Sequence, residues 1–113
     1  MTEGEIVLAR LPQSDGNLKS RPVVVLKQMP GFGDLLVCGI STQLRHEVPG
    51  FDDIVSDNDD DFSSSGLSQP SLIRLGFLGL VPVASVVGSI GSISQARHAR
   101  LTKRLSDFLI DPN

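Results

Sequence analysis

Short apolar runs separated by turn-forming residues dominate the first ninety positions of the chain. β-Branched and aliphatic residues cluster at 5–10, 23–26, 35–40 and 72–75. Runs of this length, bounded by Gly, Pro, Asn and Asp, are typical of β-strands. A weaker apolar group at 51–55 predicts a short edge strand, and two more strands are expected at 81–83 and 84–90. Turns are expected at 13–17 and 30–34.

The hydrophobic period changes near the end of the chain. Residues 95–109 contain neither Gly nor Pro, and Ser94 precedes them as a candidate N-cap. Leu101, Leu105, Phe108 and Leu109 fall on one helical face. We therefore predict a C-terminal helix over 94–109. The basic residues on its other positions are interpreted as a solvated helix surface: Arg97, Arg100, Lys103 and Arg104.

The predicted elements make the protein mainly β, with 1–113 as a single domain. Several short strands followed by one amphipathic helix favour a small barrel or a sandwich. Residues 57–65 are acidic and rich in serine, so a mobile loop is expected there.

The net charge of −3 conceals an uneven distribution. Six of the thirteen acidic residues lie between Asp52 and Asp61, which leaves seven acids against ten Lys and Arg elsewhere. A mildly basic face could therefore meet a polyanion such as a nucleic acid.

Several classes of protein are disfavoured by what the chain lacks. Cys38 is the only cysteine and lies in an apolar run, so we expect a buried, inert thiol in a reducing compartment. The N-terminus has no basic region of a secretory signal, and no apolar run spans a membrane. A cytoplasmic protein is expected.

Metal and cofactor chemistry also find little support in the sequence. His46 and His98 have no ligand spacing, and no phosphate loop or serine-hydrolase motif occurs. The aspartate cluster lacks the pattern of a calcium loop, although it leaves a divalent-cation site open as a lesser alternative. No metal and no cofactor are expected.

Polar residues adjoin three of the predicted strands. Arg21 precedes Pro22 at the start of the second strand, the third strand runs directly into Ser41-Thr42-Gln43, and Arg74 lies inside an apolar strand. An arginine in such a strand needs a partner or a polar cleft, or it reaches the surface along the outward face. The residues alone leave both interpretations open.

The ordered set of motifs resembles the MazF/PemK family of toxins from type II toxin–antitoxin systems. The set comprises Gly4-Glu5-Ile6-Val7-Leu8, Ser20-Arg21-Pro22-Val23-Val24-Val25-Leu26, Ile40-Ser41-Thr42-Gln43, Gly66-Leu67-Ser68-Gln69-Pro70-Ser71-Leu72-Ile73-Arg74 and Ile90-Gly91-Ser92-Ile93-Ser94. The resemblance extends from about Gly4 to Leu109.

The resemblance implies an SH3-like barrel of the CcdB/MazF type with a C-terminal helix, assembled as a homodimer. It implies a metal-independent endoribonuclease, or mRNA interferase, that cuts single-stranded RNA at short preferred sequences. The 2′-hydroxyl would attack the adjacent phosphate and leave a cyclic phosphate and a 5′-hydroxyl. A cognate antitoxin would neutralise the toxin by laying a flexible acidic segment over the RNA groove.

The resemblance also implies roles for individual residues. Arg21 would act on the scissile phosphate, Ser41 would supply a hydroxyl beside Thr42, and Arg74 would clamp the phosphate or serve as general acid. We favour charge stabilisation for Arg74, because a guanidinium is a poor proton donor. Substrate contacts are expected from Asn17, Thr42, Gln43, Phe32 and His46.

The chain departs from the family pattern at Gly76, where some members carry an acid. If that acid is the base, this chain uses another group, with His46 as a candidate, or works more slowly. The departure keeps a second interpretation open, a non-catalytic toxin or binding protein on the same barrel, for example of the gyrase-poison type.

Overall fold

The chain folds as one antiparallel β-sheet, and a C-terminal helix packs against one of its faces. The computed structural model describes residues 1–12 and 14–112. Its strands are β1 (Glu5–Pro12), β2 (Leu18–Gln28), β3 (Leu35–Ser41), β4 (Asp53–Val55), β5 (Ser71–Val81) and β6 (Val86–Ser92). Its helices are α1 (Phe62–Ser65) and α2 (Gln95–Ile110), with 3-10 helices at Leu44–His46 and Val83–Ser85. The predicted turn residue Gln13 lies outside the described residues.

The six strands are ordered β4-β5-β3-β2-β1-β6 and curl into a half-barrel. Every described pairing is antiparallel. The predicted mainly β class with a C-terminal helix is confirmed. The prediction of a separate strand at 81–83 is wrong, because Val81 is the last residue of β5 and a 3-10 helix follows at Val83–Ser85.

Both faces of the sheet are buried, which explains the unbroken apolar run in β2. Val24 and Leu26 join a cluster that packs against Leu101 and Leu105 of α2. The alternate residues of that strand, including Val23, join a second cluster on the opposite face. Because side chains alternate along a strand, a strand buried on both faces needs apolar residues at every position.

The segment between β4 and β5 contains α1, which contacts β6 at the opposite edge of the sheet. A Cβ added at Gly91 of β6 would lie 2.3 Å from the Ser64 carbonyl oxygen, so only glycine permits this approach. The Ser64 hydroxyl also donates to the carbonyl of Ser92 at 3.2 Å. The segment 57–65, for which a mobile loop is expected, contains the short helix α1 packed against β6; its mobility stays a prediction.

The C-terminal helix begins where the sequence predicts. The Ser94 hydroxyl accepts a hydrogen bond from the Arg97 backbone N–H at 3.1 Å, as an N-cap does. Leu101 and Leu105 are buried. Phe108 and Leu109, predicted on the same face, are mainly exposed, although the Phe108 ring lies 5.1 Å from that of Phe51.

Candidate functional site

A cleft of about 590 Å³ opens where β2, β3 and β5 come together. It receives five of the residues singled out from the sequence: Arg21, Ser41, Thr42, Gln43 and Arg74. Its other walls come from Leu11, Ser14, Pro22, Val23, Gly39, Ile40 and Phe77. The two arginines are distant in sequence but line the same cavity, and guanidinium groups are suited to binding phosphate.

The β2–β3 pairing places Arg21 and the Ser41 hydroxyl at the same end of the sheet. Val23 pairs with Gly39, so the start of β2 lies beside the end of β3. The Ser41 hydroxyl oxygen accepts from the Gln43 backbone N–H at 3.0 Å. That bond orients the side chain and leaves its O–H proton for a further acceptor.

A bulge in β5 presents Arg74 to the cleft. On β3, the neighbouring residues Cys38 and Gly39 pair with Leu78 and Arg74 of β5. Three residues of β5 between these two therefore have no pairing partner on β3. They are Leu75, Gly76 and Phe77. A bulge of this kind redirects side chains out of the regular alternation.

The bulge brings an aromatic ring beside the arginine. The Arg74 guanidinium carbon lies 5.2 Å from the centroid of the Phe77 ring, within cation–π range. A Cβ added at Gly39 would lie 2.9 Å from the Phe77 ring, so glycine on β3 leaves room for the ring. Arg74 is therefore oriented by a ring on its own strand.

A buried carboxylate supports the bulge from below. Asp52 is 5% exposed, and its Oδ1 accepts from the Leu75 backbone N–H at 3.0 Å. Its Oδ2 accepts from the Val48 backbone N–H at 2.9 Å. Asp52 thus supplies the acceptor that β3 fails to offer at the bulge, a role that the acidic composition of 52–61 did not indicate.

Three predicted substrate-contacting residues do not line the cleft. Phe32 is 99% exposed in the β2–β3 turn, at the opposite end of that hairpin from Ser41. Asn17 is exposed in the β1–β2 turn, where its backbone N–H donates to Asp15, while Ser14 of the same turn reaches the cleft. His46 is exposed at the end of the 3-10 helix that follows Gln43.

The interpretation of Arg97 as a solvated residue is wrong. Arg97 is 6% exposed, and all three of its guanidinium nitrogens donate to carboxylates. Its Nε lies 2.8 Å from Asp61 Oδ2, its Nη1 lies 2.8 Å from Asp53 Oδ2, and its Nη2 lies 2.9 Å from Asp59 Oδ2. The guanidinium ties α2 to β4 and to the acidic segment.

This cluster shifts the protonation of its members. The hydrogen bond from Arg97 lowers the pKa of Asp61 to about 2, against the opposing effect of burial, with a further contribution from the Ser94 backbone N–H. The Asp61 hydrogen bond raises the pKa of Arg97 in turn. The aspartates that most resembled a cation site are thus occupied by an arginine, and no group of His, Cys, Asp or Glu in 1–12 and 14–112 is arranged to hold a metal.

Cys38 is buried, as expected from its apolar run. Burial, with a smaller contribution from the charge of Asp52, raises the pKa of the Cys38 thiol to about 12. The thiolate is the reactive form, so this side chain is inert. Among the described helices, none has the length and apolarity needed to cross a bilayer.

Comparison with solved structures places the fold among bacterial toxins. The Mycobacterium tuberculosis toxin MazF-mt6 aligns with a TM-score of 0.69 and 24% identity, over 95% of this chain and 98% of that chain. A second chain, described as an Mtb toxin, aligns with a TM-score of 0.64 and 19% identity, over 90% of this chain and 97% of that chain. No match is found among curated protein sequences.

The sequence itself matches a family profile over nearly its whole length. Residues 2–109 match the family described as the PemK-like, MazF-like toxin of type II toxin–antitoxin systems. The profile includes the strands that form the cleft, the acidic segment and most of α2. The chain therefore belongs to the MazF/PemK family and is a toxin of the type II toxin–antitoxin class.

Proposed function

We propose that this toxin is an endoribonuclease that cuts single-stranded RNA without a metal ion. The observation that carries the proposal is the convergence of Arg21, Arg74 and the Ser41 hydroxyl on one open cleft. Two guanidiniums provide planar, permanently charged donors that match phosphate oxygens. The membership in a toxin family supports the same activity.

In the proposed reaction, the 2′-hydroxyl of one nucleotide attacks the phosphorus of the next linkage. The new 2′-O–P bond forms as the P–O5′ bond breaks, giving a 2′,3′-cyclic phosphate and a 5′-hydroxyl. One proton leaves the attacking hydroxyl and one reaches the departing oxygen. Arg21 and Arg74 stabilise the additional negative charge on the phosphoryl oxygens, and the Ser41 O–H donates to one of them.

Gly76 stands where some family members carry an acid, and this bears on the expected rate of RNA cleavage. No Asp, Glu or His is found among the described residues that line the cleft, and His46 lies outside it. General acid–base catalysis typically contributes about 10²–10⁴-fold, so a site that relies on charge stabilisation works slowly. We expect a weak nuclease whose proton transfers pass through water.

The same glycine favours a second candidate function. A barrel that lacks the acid could act as a non-catalytic toxin that binds a protein target, as gyrase-poisoning toxins do. Under that alternative, expression arrests growth while cellular RNA stays intact. Arg21→Ala and Arg74→Ala need not then abolish toxicity.

The test is incubation of the purified protein with a mixed-sequence RNA in EDTA, followed by analysis of the product ends. We expect cleavage that leaves a cyclic phosphate and a 5′-hydroxyl, and we expect Arg21→Ala to lose it. Intact RNA at high protein concentration, with growth arrest on expression, selects the binding alternative. Cleavage that EDTA abolishes contradicts the metal-independent mechanism.

A homodimer and a cognate antitoxin complete the proposal. Family membership implies an antitoxin.

The homodimer is supported by an exposed apolar surface. Large apolar side chains between 41% and 61% exposed lie on β5, the adjoining 3-10 helix and β6: Phe77, Leu78, Leu80, Val83 and Val87. Such a surface is typical of a protein interface. Light scattering should give twice the 12.1 kDa chain mass, and a monomer at working concentration contradicts the dimer. We place the activity in the cytoplasm, where mRNA is available.

A further inference from the structure

A second cleft of about 230 Å³ adjoins the arginine-lined one. The two share four wall residues, Pro22, Ile40, Ser41 and Thr42. A chain-like ligand whose phosphate binds in the arginine-lined cleft can therefore extend its next group into the second cleft. The shared Ser41 and Thr42 mark the passage between the two.

The second cleft differs from the first in its chemistry. Its described lining contains no Lys, Arg, Asp, Glu or His. Apolar side chains such as Leu8, Leu67 and Ile90 form walls, and Ser68, Gln69 and Ser71 contribute hydroxyl and amide groups. A neutral site of this kind offers nothing to a phosphate charge, but it suits a flat heterocycle with apolar faces and polar edges.

The wall that carries the polar groups is held in place. Gly66 has φ +73°, and a Cβ added there would lie 1.9 Å from the Ile90 carbonyl oxygen. The buried Ser65 hydroxyl oxygen accepts from the Leu67 backbone N–H at 3.1 Å. Further along, the buried Ser71 hydroxyl donates to the Gln69 carbonyl at 2.9 Å. These contacts fix the turn before β5 in one geometry.

The Gln69 side chain is exposed on this wall, so its amide can face a ligand. A glutamine amide presents one donor and one acceptor side by side and pairs with the edge of a nucleobase. At about 230 Å³, the cleft is large enough for a single base. Because Gln69 has the only side-chain amide among the described residues that line the cleft, we expect the identity of the base to depend on this one residue.

We propose that the second cleft is a nucleobase subsite, which takes the base next to the phosphate held by Arg21 and Arg74 and reads its edge through Gln69. The proposal rests on the ribonuclease function proposed above. It assigns sequence selection to the turn between α1 and β5, while the arginine cleft acts on the backbone alone.

The test compares Gln69→Ala with the native protein on a randomised RNA library, with cut sites mapped by sequencing. We expect the preference at one position beside the cut bond to fall at least about fivefold, as for loss of one good base contact. Total cleavage of the library should stay within about threefold. Gln95→Ala, the same change at an exposed position lining neither cleft, should keep the native preference.

A Gln69→Ala enzyme with native preference at every position overturns the subsite while leaving the ribonuclease intact. If the native protein cuts no RNA, the ribonuclease proposal fails and binding decides the subsite. In that case, adenosine, guanosine, cytidine and uridine 5′-monophosphates are titrated against ¹⁵N-labelled protein. Shifted amide signals at residues 67–71 with one of them support the subsite, and unchanged signals with all four overturn it.

Discussion

Arg97 and Arg74 are both arginines, but the first side chain is buried and the second is exposed. Arg97 is buried beneath α2, and its guanidinium is bound by Asp53, Asp59 and Asp61. Arg74 is exposed at the rim of a cleft, against the face of the Phe77 ring, and no carboxylate of a described residue lies within salt-bridge distance of it.

The difference indicates a structural role for Arg97 and a ligand-binding role for Arg74. A guanidinium saturated by carboxylates holds segments together and has nothing left for a ligand. A guanidinium held by a ring keeps its N–H donors for an incoming anion, because the ring contacts the planar face and leaves the edge open. Stability should therefore respond to Arg97, and activity should respond to Arg74.

The largest effect is expected from Arg97→Ala. Removal of the guanidinium leaves the carboxylate of Asp61, 5% exposed, without its arginine partner. Breaking a buried pair in this way costs about 3–5 kcal/mol of unfolding free energy. Urea denaturation measures it.

Arg100→Ala is the matched control. The Arg100 guanidinium also lies 2.7 Å from Asp53, but its side chain is 43% exposed. An exposed pair contributes about 1 kcal/mol or less, so this variant should remain close to native. Equal losses in the two variants would show that burial does not distinguish these arginines.

Arg74→Ala tests the other half of the comparison. Loss of one preorganised donor to the developing charge should lower kcat for RNA cleavage about 10²–10³-fold. The unfolding free energy should change by less than about 0.5 kcal/mol, because Arg74 is exposed. Arg74→Lys keeps the charge but not the planar fork, so an intermediate rate is expected. A variant that unfolds, rather than failing to cut, contradicts the division of roles.

The fold of this chain was largely accessible from the sequence because its core is built from contiguous runs. Val23 to Leu26 is buried on both faces of the sheet, and such a run has few alternatives to a strand. The C-terminal helix was equally well marked by its cap. The cleft arginines were found through a family resemblance, since neither residue has a local signal that distinguishes a ligand-binding arginine from a surface one.

The role of Arg97 was missed although a signal was present. Arg97, Leu101 and Leu105 are spaced by four, so the arginine lies on the buried face of α2. A buried guanidinium needs carboxylates, and the acidic segment was the obvious source. The composition of 57–65 favours a mobile loop, but composition carries no information about a partner 36 residues away.

The β5 bulge was out of reach for a different reason. Whether three residues leave the ladder depends on the partner strand and on Asp52, which lies 23 positions before Leu75. The apolar run at 72–75 predicts a strand but does not indicate where its pairing with β3 is interrupted. The position of Phe77 beside Arg74 follows from that bulge and could not be predicted from spacing.

Acid should weaken the Arg97 cluster. The pKa of Asp61 is lowered to about 2 in the folded protein, and an unfolded aspartate titrates near 3.9. A depressed folded pKa gives stability that is complete above about pH 4 and is lost as the pH falls toward 2. We expect about 2 kcal/mol of unfolding free energy to be lost over that interval.

The measurement is urea denaturation at a series of pH values for the native protein and for Asp61→Asn. The other carboxyl groups are common to both proteins, so the difference between the two curves isolates Asp61. The native curve should fall more steeply between pH 4 and pH 2. Parallel curves would mean that Asp61 titrates alike in the folded and unfolded states.

The smallest effect should come from Phe77→Ala, which removes the ring without touching a charge. The ring is 56% exposed, and a cation–π contact at such a site contributes about 0.5–1 kcal/mol. That energy corresponds to a two- to fivefold fall in kcat/KM for RNA, with an Arg74 side chain that is present but less well oriented. Leu109→Ala, at a residue 68% exposed that does not line the cleft, should leave kcat/KM unchanged. If Phe77→Ala instead matches the full loss of Arg74→Ala, the ring does more than orient the guanidinium and must contact the RNA itself.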